Sequence, residues 1–148
     1  MTQIEQKFEQ SIENALYRAL AENHGALETI ERLKTLLLIK GKEYRRNNDP
    51  YHNFNDGAKL MSVRPMMVLN FFRLKHVISI ADLQKDFEDK KHVSVDQINE
   101  KYDDILVYTL IELAYAENEN EASFEAFKSF TEYLNAKLKF LKKINERE

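Results

Sequence analysis

The chain has no cysteine, three glycines and two prolines among its 148 residues. Without cysteine there can be no disulfide and no thiolate metal site. So few glycines and prolines leave few places to turn, which favours long helices over a turn-rich β architecture. No apolar run approaches the roughly 18 residues of a membrane span, and the opening MTQIEQKFEQ is polar, unlike a signal peptide. The expected setting is therefore cytoplasmic. With 25 acidic and 22 basic side chains the net charge is −3, a balance that argues against a general nucleic-acid or anionic-membrane binder. A P-loop, a GxGxxG and a GxSxG are all missing, and with them the usual NTPase, dinucleotide and hydrolase signatures.

What is present is helical periodicity. Ile4, Phe8, Ile12, Leu16 and Leu20 recur every four residues, and His24-Gly25 offers a stop. A second pattern runs through Leu27, Ile30, Leu33, Leu36, Leu37 and Ile39 and is expected to reach about Tyr44. The stretch KGKEYRRNNDPYHNFND (residues 40–56) then reads as a polar loop, with Asn-Asn-Asp-Pro as breaker. Ser62 and Pro65 are expected to open the next helix. Ser94-Val-Asp-Gln97 is a capping box for a helix reaching about Ala116. Its second half, Ile105 to Leu113, is apolar almost all round and is expected to be the central buried helix. After Asn118-Glu-Asn-Glu, a last helix over about 122–146 carries Phe124, Phe127, Phe130, Leu134, Leu138 and Leu141. The expectation is a single all-α domain, a bundle of about five helices. That last apolar stripe serves either the chain's own core or an oligomer interface.

Several acids fall where local electrostatics do not ask for them. On a helix Glu100 and Asp104 differ by about 40°, and Asp103 lies about 60° to the other side of Glu100, so all three share a face. Asp96 suits the positive end of the helix dipole, but Asp103 and Asp104 lie too far along to feel it. Clustered carboxylates beside a core repel one another unless a cation sits between them. A metal site and a salt-bridged solvated face are the two readings. Glu43, near the end of its helix, falls on a core-facing stripe where a negative charge opposes the dipole. It is either neutralised by Lys40, Lys42, Arg45 and Arg46 or held for function. Lys75, Ser79 and Asp82 form a further polar stripe, and the Lys75 amine is either a snorkelling head or a phosphate contact. His24, His52, His76 and His92 include no i, i+4 pair, so oxygen ligands and Mg²⁺ or Mn²⁺ are expected rather than zinc.

The ordered pieces K-x-x-E-Y (Lys40, Glu43, Tyr44), N-F (Asn53, Phe54), K-H-x-x-S-I (from Lys75) and E-x-x-x-D-x-x-x-Y (Glu100, Asp104, Tyr108) span roughly half the chain. Together they resemble small phage and prophage proteins of the MazG-like, all-α NTP pyrophosphohydrolase superfamily, in its nucleotide-modification-associated branch. The resemblance implies a homo-oligomeric helical bundle in which carboxylates hold Mg²⁺ against a nucleoside triphosphate. It implies Glu43, Glu100 and Asp104 as metal ligands and Asp103 as a supporting, water-orienting base. Lys75 would act on the phosphates, and Lys42, Asn53 and His76 would contact substrate. The better-known E-x-x-E pair of that superfamily has its match here in Glu28 and Glu31, far upstream of Glu100, and these read as surface acids. The competing expectation is a non-catalytic helical interaction protein, a host-factor inhibitor or assembly protein, with a vestigial nucleotide site.

Overall fold

The computed structural model describes residues 2–39 and 49–147. Lys42 and Glu43 lie outside the described residues. The architecture is all-α, with six α-helices and no strand among those residues. Helix α1 spans Gln3–Glu22, started by a capping box in which the Thr2 hydroxyl accepts from the Glu5 N–H and the Glu5 carboxylate accepts from the Thr2 N–H. A 3₁₀ turn, His24–Ala26, leads into α2, Leu27–Lys34, which runs on as a π-turn over Thr35–Ile39. Helices α3 (His52–Met61), α4 (Pro65–Glu88), α5 (Val95–Asn118) and α6 (Phe124–Arg147) follow. None of the described helices is long and apolar enough to cross a membrane.

Helix α5 is the axis. It packs against α6, α1, α4 and α2, which is why its second half is apolar on nearly every side. Ile105, Leu106, Leu110 and Leu113 are all buried, as the sequence pattern requires. The principal core joins α1, α2, α5 and α6 through Phe8, Ile12, Leu33, Leu106, Leu110 and Phe130. A second cluster (Ile80, Leu83, Ile98, Tyr102, Phe140) ties the end of α4 to α5 and α6, and a third (Phe54, Ala58, Val68, Leu69) locks α3 onto α4. In the α6 stripe Phe127, Phe130 and Leu134 close the chain's own core, while Phe124 is exposed.

Two boundaries differ from the sequence expectation. The polar stretch expected to be loop through Asp56 turns helical at His52. The Asp49 carboxylate accepts from the Tyr51 N–H at 2.9 Å, and Tyr51 is buried edge-on between Phe8 and Tyr115. Tyr51, Phe54 and Ala58, spaced three and four apart and all buried, carry the helical pattern onward. Ser62, expected to cap α4, instead ends α3: it sits in the left-handed region at φ 56°, and its N–H donates to the Ala58 carbonyl. Arg64 occupies the α4 N-cap position without a side-chain cap, and Pro65 opens the helix as expected.

A candidate site between α3, α4 and α5

Between the principal core and the α3–α4 pair lies a groove of about 370 Å³, within the usual range for small-molecule sites. Leu37 of the π-turn and Pro50 border it on one side, Asn53 and Phe54 of α3 on the next, and His76 of α4 with Asp104 and Tyr108 of α5 on the far side. Its aromatic wall is ordered by ring packing. Tyr108 stacks on His76 with centroids 5.2 Å apart and on Phe72 at 6.4 Å, while Phe54 meets Tyr108 edge-on at 6.5 Å. Asp104 and Tyr108 are one helical turn apart, so one face of α5 supplies both a carboxylate and a ring to the same groove.

His76 Nδ1 lies 3.5 Å from Asp104 Oδ2. Burial lifts the Asp104 carboxyl above its ordinary 3.8; the neighbouring His76 pulls it back, and the negative charge of Glu100 pushes it up again. Asp104 is thus a carboxyl short of compensating charge, in a groove that also presents an amide and a stacked imidazole. Glu100, one turn earlier, is exposed, with Lys101 Nζ 3.9 Å away.

Of the residues expected at a shared site, Asn53, His76 and Asp104 converge on this groove and Glu100 stands one turn beyond it. Lys75 is exposed and does not line the groove; its backbone carbonyl accepts from the Ser79 hydroxyl. Glu43 and Lys42 lie outside the described residues. Among the described residues, no three His, Asp or Glu side chains gather closely enough to hold a metal ion by themselves.

Asp103 has different company from that expected of a water-orienting base. It is buried, with Oδ1 accepting from Lys137 Nζ at 2.7 Å and Oδ2 from Arg32 Nε at 2.8 Å. Lys137 is itself fully buried and also donates to Thr29 Oγ1 at 2.9 Å, while Arg32 reaches Asn99 Oδ1 and Glu28. Both Asp103 oxygens are committed to cations that pin α2 and α6 to α5. Burial pulls the Lys137 amine below its ordinary 10.5, and its hydrogen bond to Asp103 opposes that shift.

Reading for acids alone misses the cations of this cluster, although a signal for Lys137 was present. It falls in the run Phe127, Phe130, Leu134, Lys137, Leu141, a lysine at a core position of a three-and-four repeat, where a buried acid partner is needed. Tyr108 had a signal too, one turn beyond Asp104 on the same face.

No protein-family model, curated protein or solved structure matches this chain.

Proposed function

We infer that the α3–α4–α5 groove is a nucleotide site and that the chain is a Mg²⁺-dependent (d)NTP pyrophosphohydrolase-like protein of phage or prophage nucleotide metabolism. The observation that carries this reading is the convergence of Asn53, His76 and Asp104, from three separate helices, beside the Phe54 and Tyr108 rings. Tyr108 and Phe54 offer a base a stacking surface, and the Asn53 amide offers it a donor and an acceptor. Mg²⁺ characteristically takes one or two protein carboxylates together with substrate phosphates, and the under-compensated Asp104 with Glu100 one turn away fits that donor set. When bound there, the ion would neutralise phosphate charge and acidify a coordinated water. His76, in contact with Asp104, is placed to orient that carboxylate and to hold or pass a proton at Nδ1. With Asp103 committed to Lys137 and Arg32, the base role falls to the groove's own groups.

The test combines ligand-dependent melting with pyrophosphate release across a panel of NTPs and dNTPs. Nucleotide with Mg²⁺ at about 100 times Kd is expected to stabilise the chain by about 2.7 kcal/mol. Asp104→Asn and Asn53→Ala should abolish that shift while leaving helical content intact. Affinity should rise with pH through the raised Asp104 value and level off above it, because a cation displaces its proton. No melting shift with any nucleotide at saturating concentration sinks the reading. A shift without pyrophosphate release favours the second reading, a nucleotide-binding interaction protein, which the apolar outer face of α4 supports independently.

A further inference from the structure

Helix α4 is apolar on two opposite sides, and among the described residues only one of them is packed against the rest of the chain. Val68, Leu69, Ile80 and Leu83 are buried against α3, α5 and α6. At 100° per residue, the line of Met67, Phe71, Leu74, Ile78 and Ala81 runs about 180° away, and all five are exposed, Leu74 at 56 % and Phe71 at 51 %. Their spacing is four, three, four, three, the repeat of a helix-pairing seam. With about half of each large side chain exposed, the patch offers on the order of 450 Å², within the range of the largest patches on monomers. Two copies face to face would cover roughly 900 Å² through the seam alone, the size of a weak, transient interface.

The charge pattern says what fits. Between Gly57 and Ala81 the chain carries Lys59, Arg64 and Lys75, with Arg73 turned to Glu112 of α5, and no acid; at the end of α4 lie Asp82, Glu88 and Asp89 with Lys85, while Asp86 is paired with Lys91 just beyond the helix. Two such helices side by side in the same direction set like charge against like; in opposite directions each basic half meets an acidic half. Side-chain size agrees: Met67 and Phe71 at one end would face the smaller Ala81 and Ile78 at the other. Lys75 flanks the seam centre and is exposed, free to lift its amine into water on its long stem.

We propose that the outer face of α4 is a self-association surface, on which a second copy of this chain packs antiparallel about a two-fold axis near Leu74. The arrangement is isologous, each copy presenting the same seam. It leaves the α3–α4–α5 groove on the opposite side of α4, so its success or failure is independent of nucleotide binding.

Sedimentation equilibrium of the full chain should show a dimer. Phe71→Asp should weaken self-association about thirtyfold or more, as at a hot-spot position, with helical circular dichroism unchanged because Phe71 is exposed. The absence of native cysteine makes single-cysteine variants clean reporters. Leu74→Cys should form a disulfide-linked dimer on oxidation, and Met67→Cys mixed with Ala81→Cys should cross-link far more than Met67→Cys with itself. A monomer at the highest soluble concentration, or a dimer indifferent to Phe71→Asp, overturns the proposal, as does cross-linking of Met67→Cys to itself in preference to Ala81→Cys. A monomer that co-sediments with phosphatidylserine vesicles would assign the face to a lipid surface instead.

Discussion

Lys137 is fully buried, and its amine touches one carboxylate, Asp103, and one hydroxyl, Thr29. Asp103 has a second cation in Arg32. The pair is therefore unequal, and so are the consequences of breaking it. Asp103→Asn leaves a buried ammonium uncompensated and is expected to cost about 3–5 kcal/mol. Lys137→Met should cost less, because Asp103 keeps Arg32, and the double variant Asp103→Asn with Lys137→Met should recover much of the single loss. Urea denaturation of the three variants checks the order; equal losses would show that the cluster is not centred on this pair. The pH response has a definite sign. The folded chain holds the Lys137 proton less tightly than the unfolded chain, so between its lowered value and 10.5 this group's contribution to stability increases with pH.

At the scale of elements, α4 is decided at its ends and by its two faces. The α3–α4 corner depends on Ser62 in the left-handed conformation, which costs an L-residue roughly 1–2 kcal/mol and glycine almost nothing. Ser62→Gly is accordingly expected to stabilise the chain by up to about 1 kcal/mol, because the unfolded chain also gains freedom with glycine. Differential scanning calorimetry reads it directly, and a lower melting temperature would mean that the serine side chain holds the corner. Gly57 presses on the same joint: a Cβ there would come within 3.1 Å of Val68 Cγ1, so a side chain at this position would push Val68 aside by a few tenths of an ångström where α3 meets α4, at one wall of the groove.

At the scale of the whole molecule, α5 collects the other helices, and three clusters rather than one continuous core result. The groove opens where the principal cluster and the α3–α4 cluster diverge along α5, which is why its lining comes from both. If α4 pairs with a second copy, folding and assembly are linked, and the melting temperature of the intact chain should rise with protein concentration. A melting temperature constant across the soluble range would separate stability from self-association.

How much of this was legible beforehand follows from the range of each interaction. Helix periodicity and the capping box at Ser94 are local, and the sequence by itself determined the all-α class, α5 as the buried axis and the absence of thiol chemistry. Asn53, His76 and Asp104 could be picked out singly as polar groups beside apolar faces. That they meet, and that Asp103 turns to Lys137 and Arg32, was decided only by the tertiary structure. The angle around one helix fixes where a carboxylate points, but which charge waits there depends on residues 34 and 71 positions away in the chain. The seam on α4 was written in its four-and-three spacing, yet that spacing serves core and interface alike. Only the packing of α4 on α3 and α5, which consumed the opposite face, left this one uncovered.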